Sequence, residues 1–402
     1  MNADPHTTGT NILGYRYEAL HVSPGEFVLS YNRKYYRIGE AMYEILKAGA
    51  IARNMDEMHG MVSEVMPITK TDLHEIIDTK ILPVFKSAEM PSAEMDTGFW
   101  LKRKLLSSAS ISLLAKPLLF LFGKLFYPLF FFTCALNAWL YYQAPAATSN
   151  AFLQDYEVAT WAFSYLALFA VIFLHEMGHA AAAIASGIHA RNIGLGFYTV
   201  LPVMYTDLTD TWKLPKKDKV KINLAGIFMQ LLVNGLLLFL VKAGGNGFVA
   251  AMAWKIYLVN NCIILINLVP FMKFDGYWIL SDMMAIPNLI LESNQKLVDL
   301  FTKKDPFPKE NDIGMSWSQR IFIAGYTFLR VLFIGSVIFV VFAFIWYSIV
   351  KTILFIRFIP YLELNFTVAA EMLKRIGSIV IIFLFTRKYR KMFFRLILKK
   401  RK

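Results

Sequence analysis

The sequence predicts an all-α polytopic membrane protein of about six transmembrane helices, preceded by a small N-terminal α+β, winged-helix-like domain. Three observations carry that prediction. The 402 residues are 56% hydrophobic, with 34 Phe and 18 Met, and the mean hydropathy of +0.46 is too high for an ordinary soluble domain. The apolar residues collect in runs long enough to cross a bilayer, with lysines and arginines at their flanks. Residues 1–96, by contrast, alternate polar and apolar positions over short distances. The formal charge of +13 therefore points to a membrane surface rather than to nucleic acid. Cys134 and Cys262 both fall in expected spans, so neither a disulfide framework nor a cysteine metal site is indicated. The first apolar span starts far past residue 1, after a polar region, so no cleavable signal peptide is expected.

Residues 1–96 are expected to form one soluble domain. Phe27–Tyr31 and Lys34–Ile38, two aromatic-rich runs about the polar pair Asn32-Arg33, give a β-hairpin. Glu40 to Ala48 follows as an amphipathic helix carrying Met42, Ile45 and Leu46, with Gly49 placed to end it. Thr71 is a candidate N-cap for a helix over Asp72–Leu82, in which Leu73, Ile76, Ile77 and Ile81 recur at helical spacing. Pro91, Ser92 and Ala93 mark residues 86–97 as a linker into the second domain, 97–402.

Leu101–Phe122 mixes Lys102, Arg103, Lys104 and Lys116 with apolar residues and reads as an interfacial amphipathic helix. Spans are then expected at about 125–142, 158–185, 222–241, 248–269, 321–350 and 369–385, with the membrane core over about 125–285. Residues 143–157 hold no lysine or arginine and suit an outer loop. The basic cluster Lys213 to Lys221, the charged loop 273–319 and the nine lysines and arginines of 387–402 place both termini on the cytoplasmic side; the membrane is expected to be an inner, cytoplasmic one. Residues 193–205, with glycines and β-branched side chains, offer either a strand-like edge that pairs with an extended peptide or an ordinary re-entrant loop.

The chemistry centres on His175-Glu176-Met177-Gly178-His179, set in the second apolar run. On a helix the two histidines are four residues apart and share a face, so they can hold a zinc ion, and Glu176 beside them can take a proton from a zinc-bound water. Ionisable groups at membrane depth are costly and mark functional sites. A catalytic zinc needs three protein ligands and one open position. Asp275 is the candidate third, in Asn267-Leu268-Val269-Pro270-Phe271-Met272-Lys273-Phe274-Asp275-Gly276, where proline and glycine break the helix. Taken alone, Asp275 reads first as an interfacial aspartate capping a helix or facing water; the HExxH motif in the same membrane domain turns the reading toward a ligand. Asp207 and Asp210 read as solvated loop carboxylates rather than a second metal pair, and His189 as an interfacial residue.

An HExxH motif in one span and NxxPxxxxDG in a later one resemble the double signature of the site-2 protease family of intramembrane zinc metalloproteases. Leu201–Asp207 with Trp212, and Asn223-Leu224-Ala225-Gly226, are similar to its bacterial peptide zinc metalloprotease branch. No PDZ-like insertion is legible between the two motifs. The resemblance implies one zinc per chain, held by His175, His179 and Asp275, with Glu176 as general base and Asn267, Pro270 and Gly276 on the substrate side. It implies a metalloendopeptidase acting within or near the bilayer. Phe27 to Gly49 resembles the pyrroloquinoline-quinone chaperone-like, leader-recognition fold of ribosomal-peptide maturation, against a generic winged-helix accessory domain as the alternative. The expected substrate is accordingly a small peptide or its leader, with an exporter as a further candidate partner. The competing readings are a single-span regulatory protein such as an anti-sigma factor as substrate, and a non-catalytic binding or export protein that keeps zinc for structure. The intact Glu176 speaks against the last, since a structural site has no use for a base.

Overall fold

Asn32 adopts the left-handed conformation (φ 48°) that a tight turn demands, and the hairpin forms around it as expected. The structure is a computed structural model that describes residues 13–23, 25–32, 34–89, 99–143, 158–198, 201–244, 248–286, 288–301, 317–358 and 377. Three antiparallel strands, β1 (Glu18–Ser23), β2 (Glu26–Tyr31) and β3 (Lys34–Ile38), lie in that order, with Ser30 opposite Tyr35 and Leu29 opposite Tyr36. Helices α1 (Glu40–Ile51), α2 (Met55–Val65), α3 (Lys70–Ile76) and α4 (Leu82–Glu89), the last two joined by a π-turn, close over the sheet. Leu29, Leu46, Met58, Leu73 and Phe85 are at most 1% exposed and form the core.

Three details of this domain depart from the sequence reading. Gly49 does not end α1 but sits inside it, where an added Cβ would come within 3.1 Å of Met58 and 3.2 Å of the Tyr17 hydroxyl; its role is close packing. The helix-starting cap is Thr69, not Thr71: its hydroxyl oxygen accepts the Asp72 N–H at 3.1 Å. Strand β1 and helix α2 were not anticipated. For α2 the signal is present, since Asn54 accepts from the Glu57 N–H and Glu57 reaches back to the Arg53 N–H, a capping-box arrangement. The expected linker begins as the end of α4, and its remainder, 90–97, lies outside the described residues.

The expected interfacial helix over Leu101–Phe122 is instead a strand, β4 (Phe99–Ser107), followed by α5 (Ser108–Ala115) and a 3-10 turn (Lys116–Phe122). Lys102, Arg103 and Lys104 are three consecutive cations on an exposed strand, and Ser107 caps the helix that follows. The segment 108–122 then joins α6 (Phe126–Tyr142) through a bend of 83°.

Beyond α6 the helices are long: α7 (Val158–Ala185), α8 (Lys216–Gly244), α9 (Phe248–Leu268) and α12 (Trp317–Phe358). Among the described residues four helices are long and apolar enough to cross a membrane, or five if the bent pair is one span. The expected sixth, 369–385, lies outside the described residues apart from Gly377. The charged loop 273–319 is not structureless: it holds α10 (Asp275–Met284) and α11 (Leu289–Phe301). The described residues of 193–205 belong to two strands, β5 (Asn192–Tyr198) and β6 (Leu201–Thr206), in a sheet ordered β4-β5-β6.

The chain divides into two compact units. The first takes residues 1–97, 104–193 and 206–254; the second takes 98–103, 194–205 and 255–402. In the first, α7 packs on α8 through small residues: a Cβ on Gly178 would stand 2.6 Å from the Ala225 carbonyl. Asn137 on α6 donates to the Leu231 carbonyl at 3.0 Å, an interhelical bond of the kind that holds apolar helices together in lipid. In the second, Tyr277, Ile286 and Leu289 are buried against Ile323 and Tyr326 of α12. Tyr326 donates to the Pro270 carbonyl at 2.9 Å, anchoring the break between α9 and α10.

Candidate metal centre

The alanine-rich end of α7, Ala180 to Ala183, keeps that helix regular through the motif, and all four alanines are fully buried. Helical spacing then brings the His175 and His179 rings to 4.6 Å between centroids, nearly perpendicular, with their Nε2 atoms 3.1 Å apart. Each ring is oriented from behind. His179 Nδ1 donates to the Ile222 carbonyl at 2.7 Å, and His175 Nδ1 donates to Gln230 Oε1 at 2.9 Å, both partners on α8. Protons on both Nδ1 atoms leave both Nε2 atoms as lone-pair nitrogens. Two such nitrogens at 3.1 Å repel unless a cation joins them, and the spacing is close to the roughly 3.3 Å edge of a tetrahedral zinc site. Gly226 makes the approach possible. A Cβ there would sit 2.5 Å from His175 Cε1 and 2.5 Å from His179 Nε2, so any side chain would fill the cradle. The donor set fits zinc.

Glu176, next to His175 in the chain, is 7% exposed. Thr206, the last residue of β6, donates to Glu176 Oε2 at 2.7 Å and lies 3.2 Å from the Glu176 carbonyl. That bond fixes one carboxylate oxygen while leaving a second lone-pair-bearing oxygen to handle a proton.

The other four candidates lie together in the second unit, at the break between α9 and α10. Asn267 is on the last turn of α9, half-buried. Pro270 follows in the irregular segment, and Asp275 opens α10 in its first turn, half-buried. A Cβ on Gly276 would fall on the Leu268 carbonyl, so only glycine lets the chain double back here.

Asp207 and Asp210 are not idle loop carboxylates. Asp210 accepts from Arg191 and from the Tyr35 hydroxyl, both at 2.7 Å, and Asp207 accepts from the Thr209 N–H. His189 is exposed. Sequence reasoning missed Thr206, Gln230 and the Ile222 carbonyl. For Gln230 a signal exists, a lone amide inside the apolar run Ile227–Val233, and it is completely buried. A threonine at a strand end and a backbone carbonyl leave no trace in sequence.

Residues 163–248 match the family model of Peptidase family M50. The Bacillus subtilis (strain 168) protein YydH, whose name describes it provisionally as a peptide zinc metalloprotease, is 29% identical over 117 residues, 29% of this chain and 45% of YydH. Zinc metalloprotease MJ0392 of Methanocaldococcus jannaschii is 28% identical over 129 residues, 31% of this chain and 35% of MJ0392. The chain thus spans less than half the length of the curated relatives it matches. No solved structure matches it significantly. Residues 163–248, with both histidines and Glu176 on one helix backed by α8, constitute a Peptidase M50 domain of the site-2 protease type.

Proposed function

We propose that this protein is a zinc-dependent intramembrane endopeptidase. The observation that carries the reading is the pair of lone-pair nitrogens on His175 and His179, each set by an Nδ1 bond to α8, with Glu176 next to His175 on the same helix. His175, His179 and Asp275 would hold one zinc per chain; a carboxylate at a helix start beside a glycine-bound reversal supplies the hard oxygen that two imidazoles lack. When bound, zinc acidifies a water and polarises the scissile carbonyl. Glu176 takes the proton of the attacking water and returns it to the leaving nitrogen, steadied by the Thr206 hydroxyl. Asn267, Pro270 and Gly276 would face the substrate backbone at the broken helix. Membrane burial of the motif restricts water to a polar path, which suits a bond cleaved within or near the bilayer.

The substrate we favour is a small peptide or leader recruited by the N-terminal domain, in the inner membrane with both termini cytoplasmic. The three-stranded sheet with β3 at its edge supports that choice, since an edge strand accepts an extended peptide by backbone bonds. Comparing membrane peptides between wild-type and Glu176→Gln cells tests the function directly. A peptide that persists only in the variant is expected; identical peptide sets would defeat it. Asp275→Ala is expected to lose most of the metal, and full zinc occupancy in that variant would place the third ligand elsewhere.

A further inference from the structure

Each strand of the N-terminal sheet makes a polar contact with residues 210–219. Lys213 Nζ reaches Glu18 of β1 at 3.0 Å, Lys219 Nζ reaches Glu26 of β2 at 3.1 Å, and the Tyr35 hydroxyl of β3 donates to Asp210 at 2.7 Å. The contact to β2 is not a loose surface pair. The Lys219 side chain is 9% exposed and that of Glu26 19%, and Lys219 also lies over the Trp212 ring. Arg191 braces Asp210 from the other side.

The gripped segment is bracketed by two of the residues that position the candidate metal-binding and catalytic side chains. Just before it, Thr206 holds Glu176. Just after it, Ile222, three residues past Lys219 and on the same face of α8, accepts the His179 Nδ1 proton. At its start Asp207 bonds back to Arg191 and Asn192 through the main chain, so Arg191 belongs to the same bracket. A shift of residues 207–221 would therefore move the hydroxyl on the base and the carbonyl on a zinc-binding imidazole together.

We propose that Glu18, Glu26 and Tyr35 are positioning residues for the reaction. Seating of the N-terminal domain on residues 210–219 holds Thr206 and Ile222 in place, and with them Glu176 and His179. The proposal rests on the protease reading above. It changes what the domain does: a domain that only recruits substrate alters KM, whereas a domain that braces the site alters kcat. It also gives substrate capture a route to the chemistry, because a peptide pairing with β3 meets the strand that carries Tyr35.

The test uses the full chain in lipid nanodiscs and the reversals Glu26→Lys and Lys219→Glu, alone and together, with Tyr35→Phe as a milder variant that removes one hydroxyl. Hydrogen exchange is read on residues 201–215, zinc content on the purified protein, and turnover on the peptide that accumulates in Glu176→Gln cells. Each single reversal is expected to raise exchange over 201–215 and to lower kcat about tenfold with KM within about twofold. The double reversal, which restores the ion pair with its sign inverted, is expected to recover both. Unchanged exchange in folded single variants, an effect confined to KM, or no recovery in the double reversal would overturn the proposal. If wild-type protein cleaves nothing, the protease reading falls by itself, and the exchange data still decide whether the domain braces the segment.

Discussion

The N-terminal domain and the α7–α8 helix pair are both built on apolar residues, and they use them in opposite ways. In the domain the large side chains are inside: Phe85 is fully buried and Leu29 is 1% exposed. Where the two helices meet, the contact is made by Gly178, Ala180 to Ala183, Ala225 and Gly226, the buried Phe228 of α8 packs instead on Phe122 and Phe126, and Phe163, Leu166 and Phe239 are about 60% exposed (58%, 66% and 60%). Water drives large rings into a core, but lipid tails are as apolar as leucine, so nothing is gained by hiding a ring from them. Helices in lipid are held instead by close backbone approach and by bonds such as Asn137 to the Leu231 carbonyl. The same closeness builds the site. Only small residues on α8 let its carbonyl and glycine come up against two imidazoles.

The comparison separates chemistry from packing, and the largest expected effect is chemical. Glu176→Gln keeps size and can still accept the Thr206 hydroxyl, but it cannot take a proton. Cleavage should fall about 10²–10⁴-fold while zinc per chain, measured by elemental analysis, is unchanged. Near-normal turnover would remove Glu176 from the mechanism.

In the water-packed region, Phe85→Ala should cost about 3–5 kcal/mol in the unfolding of the N-terminal domain, read by exchange protection of its core amides. Tyr15, Tyr17 and Tyr31 all lie against that ring, so the void cannot close cheaply. A cost below 1 kcal/mol would mean that this core is not packed as described.

In the helix pair the sensitive substitution runs the other way, from small to larger. Gly226→Ala puts a methyl into the space between the two imidazoles and should weaken zinc binding about 10–100-fold, measured by competition with a chelator. Unchanged affinity would show that α8 can retreat, and that close approach is not what sets the histidines.

These contrasts explain what was legible in the sequence. The histidine pair, Glu176 and the hairpin at Asn32 were readable because each depends on local spacing or a local turn. The four long helices were readable because lipid imposes a minimum apolar length. Strand β4 was not, since Leu101–Phe122 carries charges and leucines that suit a strand edge and an interfacial helix alike, and only pairing with residues far along the chain decides. Gly49 misled for a similar reason: glycine after a helical run usually ends it, yet here Met58 and Tyr17, distant in sequence, require the missing side chain. Thr206 and the Ile222 carbonyl could not be found at all, because their roles are set by what tertiary structure brings against α7.

The docking of the sheet offers a gentler lever. Burial pushes the carboxyl groups of Glu26 and Asp210 up, but the cations outweigh it, and both end below the ordinary carboxylate range. Lys219 and Arg37, with the Ser23 hydroxyl, face Glu26; Arg191 and Lys213, with the Tyr35 hydroxyl, face Asp210. Groups with a lowered folded-state pKa add stability above their unfolded values, near 4, and that stability is lost as pH falls through the folded values. Exchange over residues 201–215 should therefore be flat from about pH 6 to 8, once corrected for intrinsic rates, and rise only below about pH 4. A rise near pH 6 would implicate some other group.

The smallest expected effect falls on the rings that face outward. Phe239 lies on α8, the helix that also carries Gln230, Gly226 and Ile222, yet 60% of it is exposed. In water, removing a half-exposed phenylalanine from a folded domain would still forfeit some burial. In a bilayer the ring exchanges protein and lipid contacts of equal polarity, so Phe239→Ala should change stability by less than about 0.5 kcal/mol and leave zinc content and turnover at wild-type levels. Paired with Phe85→Ala, it gives one residue type and two solvents, with an expected ratio of at least about sixfold in cost. The experiment must be done in nanodiscs of ordinary acyl length, because in detergent the ring also helps to hold the micelle. A loss for Phe239→Ala comparable to that for Phe85→Ala would mean that this face of α8 is covered by protein, by a second copy or another chain, and that the outward rings are an interface rather than a lipid-facing surface.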